Sequence, residues 1–182
     1  MRIPIILISL LIATGSVVSA VPDWSVIHQN RGMMGGGLGQ SASEIPGDLV
    51  ITLQRTPCFG TCPSYSVTLY GNGSYVFNGT RCVMVKGLRK GTITRVSVKR
   101  LVMEFGAANF SHLRDSYEDM VITDMPSAIL SFTANGTTKT VFHYHGDLNA
   151  PGNLSTLEDR VDSAVNSKRF IGSRKDMRCM SE

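Results

Sequence analysis

The chain has 182 residues, of which 42% are apolar, and a formal net charge of +4. The length suits one domain with flanking segments, and the apolar content is ordinary for a globular protein. So mild a positive charge gives no argument for a nucleic-acid partner, and none is expected.

The N-terminus reads as an export signal. Arg2 is a short positive region, Ile5 to Ala13 is apolar except for Ser9, and Val18-Ser19-Ala20 fits the small-x-small pattern of a cleavage site. The apolar run is too short to span a bilayer. Residues 1–20 are therefore predicted to be a signal peptide, with the mature chain in the periplasm or secreted. No cysteine stands just after Ala20, which argues against a lipid anchor there. Residues 21–47, with Met-Met-Gly-Gly-Gly-Leu-Gly from Met33 to Gly39, read as a flexible Gly-rich linker containing Trp24. A single α+β domain is expected over 48–172 and a C-terminal tail over 173–182.

Within the domain, Leu49, Ile51 and Leu53 alternate with Val50, Thr52 and Gln54 as in a half-buried strand. A turn-rich stretch from Thr56 to Pro63 precedes a second alternation, Tyr65, Val67 and Leu69. Gly71-Asn72-Gly73 is a hairpin turn, leading into Tyr75 and Phe77, and Val83 with Val85 suggests another short strand. The period then changes. Val98, Leu101, Val102 and Phe105 mark one helix face, with Thr94 or Ser97 as the cap and Gly106 near the end. Ala128, Leu130 and Phe132 return to period two. Asn135-Gly136 is a strong hairpin signal, and Thr140, Phe142 and Tyr144 alternate with Val141, His143 and His145. A last helix is expected from about Ser155, with Ser155 and Glu158 as a capping box and Leu157, Val161, Ala164 and Val165 as its apolar stripe. The expected architecture is an antiparallel sheet of hairpin-linked strands with two helices packed on one face.

Arg55-Thr-Pro-Cys58-Phe-Gly60-Thr-Cys62-Pro63-Ser-Tyr65, followed by Leu69 to Gly73, resembles an uncharacterised exported bacterial family, domain-of-unknown-function family 6438. Thr123 to Ser127, Tyr144 to Gly146 and Leu157-Glu158 extend the likeness over residues 49–172. The resemblance implies a bacterial envelope protein with this strand and helix order, and it implies no activity. Cys82, Cys179, His143 and His145 depart from the family pattern.

Four groups of residues invite chemistry. Cys58, Cys62, Cys82 and Cys179 form an even set in an exported chain, which favours disulfides. The expected pairs are Cys58–Cys62 and Cys82–Cys179. The Cys58-x-x-x-Cys62-Pro63 run also suits a thiol-redox pair or a soft copper site. Yet a strand, not a helix N-terminus, follows Pro63, so nothing there favours a thiolate. His143 and His145 share a strand face and could bind a metal with a third ligand such as Asp147; as a pair without a second cluster they are weak candidates, and neither a metal nor another cofactor is expected. Arg81, Lys86, Arg89, Lys90, Arg95, Lys99 and Arg100 fall in a run without Asp or Glu. They suit an anionic envelope surface unless Asp115, Glu118, Asp119 and Asp124 balance them. Arg55 and Asp124 are read as an ion pair or a backbone cap. No nucleophile-elbow, zinc-protease or phosphate-loop pattern occurs. The sequence thus favours a non-enzymatic binding or structural module, with redox or copper handling at Cys58 and Cys62 as the alternative.

Mass spectrometry of protein from envelope material should find a mature chain beginning at Val21. A chain that still begins at Met1 there would refute the export reading.

Overall fold

Period-two burial builds the sheet. In the computed structural model, which describes residues 44–119, 121–173 and 179, β1 (Val50–Arg55), β2 (Ser64–Tyr70) and β3 (Ser74–Arg81) bury alternate residues. β4 (Gly87–Thr92) follows, then α1 (Arg95–Ala107), a 3-10 turn (Phe110–His112) and the short β5 (Ser116–Tyr117). The hairpin β6 (Ser127–Ala134) and β7 (Thr137–Tyr144) leads to α2 (Gly152–Val165) and the four-residue α3 (Lys168–Ile171). The signal peptide, linker residues 21–43 and tail residues 174–178 and 180–182 lie outside the described residues.

The strands form one sheet in the order β4-β3-β2-β1-β6-β7-β5. Every pairing is antiparallel except β5 with β7, which is parallel. The class is α+β, as expected. Ile51, Leu53, Val67, Leu69, Phe77, Leu130 and Val141 line the covered face and are fully buried. Val98, Leu101 and Phe105 of α1 pack there, with Phe105 stacked on Phe132 at 4.7 Å, beside Leu154, Leu157, Val161 and Val165 of α2. The other face carries polar cross-strand pairs, Ser131 with Thr140 and Thr133 with Thr138, each at 2.8 Å. That contrast of faces is what period-two patterning encodes.

Local chemistry explains the ends. Thr94 Oγ1 accepts the Ser97 amide at 3.1 Å and starts α1. Asn135 and Gly136 both take positive φ, 53° and 73°, as a two-residue hairpin of this hand requires.

Two expectations are corrected. Val83 and Val85 form no strand: the chain turns at Cys82, whose φ is 52°, and the amides of Met84 and Val85 bond to the carbonyls of Ile171 and Phe170. The strand that completes this edge is β4, which has no buried residue and therefore no hydrophobic alternation to announce it. α2 begins at Gly152, three residues before Ser155, with Pro151 as its N-cap, so Ser155 and Glu158 make no capping box. Just ahead of β1, the Leu49 amide bonds to Pro46 O, and Ile45 and Pro46 lie against Gly71.

Asp48 closes the start of the domain against the far hairpin. Its carboxylate accepts the Asn135 and Gly136 amides at 2.8 and 2.6 Å. These bonds, that of Gly136 first, hold its pKa below the usual 3.8. A carboxylate so depressed stabilises the fold above its unfolded pKa, and the contribution is lost as pH falls through the folded one. Asp48→Ala should therefore lower the melting temperature at pH 7, and the gap from the parent should shrink at pH 2. Thermal unfolding by circular dichroism at the two pH values checks both.

Candidate functional site

β1, β2, β7 and α2 converge on a cluster of ionisable side chains. Arg55 ends β1, Tyr65 lies on β2, His143 is on β7, His145 follows it, and Glu158, Asp159 and Asp162 lie on α2. Glu158 has no exposed surface and sits inside the buried stripe of α2 among Leu154, Leu157, Val161 and Val165. A carboxylate in that position must be neutralised by partners. Its Oε1 lies 2.7 Å from His143 Nδ1, and its Oε2 lies 2.8 Å from Arg55 Nη1 and 3.0 Å from His145 Nε2. Burial pushes the Glu158 pKa up, but the bonds from His143 and His145 and the charge of Arg55 outweigh it and bring it down to about 2.

Arg55 spreads over three carboxylates. Besides Glu158, its Nη2 donates to Asp162 Oδ2 at 3.0 Å and to solvent-facing Asp159 at 3.2 Å, and its Nε reaches Asp162 at 3.3 Å. Burial opposes its charge, yet Asp162 and Glu158 more than compensate and hold the guanidinium more firmly protonated than usual. The Tyr65 hydroxyl donates to Asp162 Oδ1 at 2.8 Å, and burial first, then the Asp162 charge, raises its pKa. The planar fork of Arg is suited to bridging several oxygens in this way. Beside the cluster, a cleft of about 380 Å³ opens between Tyr65 and the α2–α3 junction, lined by Asp162, Asn166 and Lys168 among others.

The residues singled out from the sequence fall in different places. The Arg55–Asp124 pair is not formed. Asp124 is exposed with φ 63°, and its carboxylate contacts Thr123 Oγ1 at 3.5 Å, while Arg55 turns to α2. Asp147 is not the third group beside the histidines either. Its carboxylate accepts the Asp119 and Asn149 amides at 3.1 and 2.8 Å, and Glu158 takes the place expected for it. Sequence reasoning missed Tyr65, Glu158, Asp159 and Asp162 as partners. One signal was present: an acid at position 158 interrupts a stripe whose neighbours at 154, 157, 161 and 165 are all apolar.

Cys58 and Cys62 are joined, with a Cα separation of 5.5 Å, and so are Cys82 and Cys179, at 4.4 Å. The first bridge closes the loop between antiparallel β1 and β2. The second ties the turn after β3 to the segment beyond α3. The seven basic residues lie around β4, the free edge of the sheet, and the start of α1. All are exposed except the half-buried Lys99. Asp115, Glu118 and Asp119 flank β5 at the opposite edge, roughly 29 Å away at the usual strand spacing. Asp115 is paired there with Lys139.

Fold and chemistry together define an α+β domain with two disulfides, organised on a buried Arg–Glu–His cluster. Residues 49–165 match the family described as "Domain of unknown function (DUF6438)", and the chain belongs to that family. Among curated proteins, no significant match was found.

The bridges close loops of very different length, since the paired cysteines are 4 and 97 residues apart. By chain entropy these loops are worth about 2 and about 4.7 kcal/mol. Urea denaturation should therefore show a larger loss for Cys82→Ser with Cys179→Ser than for Cys58→Ser with Cys62→Ser.

Proposed function

We propose that the protein is an exported, non-enzymatic binding module of the cell envelope, and that its basic β4 edge docks on an anionic lipid surface. The carrying observation is the strand order, which puts the cationic segment and the acidic segment at opposite edges of one sheet. Asp115, Glu118 and Asp119 are therefore too far from Arg89 and Lys90 of β4 to neutralise them through solvent, where charges are screened within about 8 Å at physiological salt. Among the described residues β4 pairs with β3 alone, and Arg89 and Lys90 are exposed along it.

A lipid surface fits better than a hydrophilic polyanion because apolar side chains accompany the cations. Met84 and Leu88 are 49% and 61% exposed beside Lys86, Arg89 and Lys90, and Val96 is 70% exposed beside Arg95. Such a mixture suits the boundary between headgroups and acyl chains. The alternative, redox or copper chemistry at Cys58 and Cys62, finds less support. The bridge sits at a strand-to-strand turn, with β2 starting two residues after Cys62. Among the described residues, strands and not a helix start flank these cysteines in the chain.

Co-sedimentation with vesicles tests the reading. The mature chain should bind phosphatidylglycerol-containing vesicles and leave pure phosphatidylcholine vesicles unbound, and 0.5 M salt, taken as roughly three times physiological strength, should release it. Neutralising Arg89→Gln with Lys90→Gln should weaken binding about 30-fold, at about 1 kcal/mol per basic residue. Equal binding to both vesicle types, or binding that the double substitution leaves unchanged, would overturn the proposal.

A further inference from the structure

His143, His145 and Glu158 bring two imidazole nitrogens and a carboxylate within 4.8 Å of one another. We infer that these three side chains form a binding site for a divalent transition-metal ion, with zinc as the best-fitting cation. Four observations carry this.

The first is spacing. His143 Nδ1 lies 2.7 Å from Glu158 Oε1 and His145 Nε2 lies 3.0 Å from Oε2, the two oxygens of one carboxylate, and the ligand atoms of the three residues are all within 4.8 Å of one another. Tetrahedral zinc, with nitrogen and oxygen ligands near 2.0–2.1 Å, sets its ligand atoms roughly 3.3 Å apart. The set is therefore near that spacing, with small side-chain rotations bringing both imidazoles onto one ion.

The second is charge. Arg55 supplies a single positive charge against the carboxylates of Glu158, Asp159 and Asp162. With both imidazoles neutral, two negative charges are left over, one of them on solvent-facing Asp159. A divalent cation balances them. The two rings stack at 4.5 Å, so both imidazoles face the one carboxylate together.

The third is a donor–acceptor conflict. His145 Nε2 lies 3.0 Å from Glu158 Oε2, an acceptor, and 3.3 Å from Arg55 Nη1, a donor. As N–H that nitrogen opposes the guanidinium; as a lone pair it opposes the carboxylate. A metal ion uses the lone pair and the carboxylate together and displaces Arg55 Nη1, which lies 2.8 Å from the same oxygen. Arg55 retains Asp159 and Asp162 through Nη2 and Nε.

The fourth is access and selectivity. The His145 side chain is 24% exposed, against 5% for His143 and none for Glu158, so an ion can enter past His145. Two imidazoles and a carboxylate favour zinc over calcium or magnesium, which prefer all-oxygen shells. Three protein ligands also leave a fourth position open to water or an exogenous group.

The site is tested on the mature chain with both disulfides intact, stripped by chelator and titrated with zinc chloride at neutral pH in a calorimeter. One equivalent per chain is expected, with at least tenfold weaker uptake in His145→Ala and none in His143→Ala with His145→Ala. Cobalt(II) should give the absorption of a four- or five-coordinate ion, lost in His145→Ala. Circular dichroism establishes that each variant is folded. If the double variant fails to fold, His145→Ala decides, because that side chain is partly exposed. No uptake by the parent, or uptake and a cobalt spectrum unchanged by His145→Ala, would overturn the inference.

Discussion

Glu158 places a carboxylate where water does not reach, and the surrounding architecture is arranged to answer its charge. Arg55 comes from the end of β1, His143 from β7 and His145 from just beyond it, while the carboxylate itself belongs to α2. β1 and α2, whose paired residues Arg55 and Glu158 are 103 positions apart, are thus held in one register by a hydrogen bond. Apolar contacts are non-directional and tolerate sliding, whereas charged hydrogen bonds do not. The apolar stripe of α2 fixes which face meets the sheet, and Glu158 fixes where along the sheet that face rests.

This arrangement has an asymmetry. A buried ion pair offers little net stability relative to apolar packing, but removing one partner is costly because the other charge stays behind. Arg55 moderates that risk by meeting Asp162 and Asp159 as well, and Tyr65 completes Asp162. The same carboxylates outnumber the cation that meets them, and both histidines lie against Glu158. Stability and site chemistry therefore draw on one set of residues.

The two edges of the sheet are handled differently. At one edge β5 is only two residues long, and Asp115 beside it pairs with Lys139. At the other, β4 is six residues long and open, and it carries Leu88, Arg89 and Lys90. Exposed cations discourage edge-to-edge pairing between copies of a protein, and the same cations provide a surface for an anionic partner. The disulfides brace the loop joining β1 to β2 and the turn between β3 and β4.

Much of the fold was legible in the sequence because it is written in local periodicity. Alternation marked β1, β2, β3, β6 and β7, the spacing of Val98, Leu101 and Phe105 marked α1, and Asn135-Gly136 marked the hairpin. β4 was illegible for the converse reason, since a strand without a buried face has no alternation to read. The site was barely legible. Arg55, His143 and His145 drew notice as residue types, but Arg55 was matched with Asp124 and the histidines with Asp147. Local spacing says nothing about which strand lies beside which. Only the crossover that sets β6 against β1, and the docking of α2 over that seam, brought Glu158 and Asp162 to Arg55. Residue chemistry and period were determined by the sequence alone. The choice of partners belonged to the tertiary structure, because a charge pairs with whatever the packing of distant apolar stripes delivers to it.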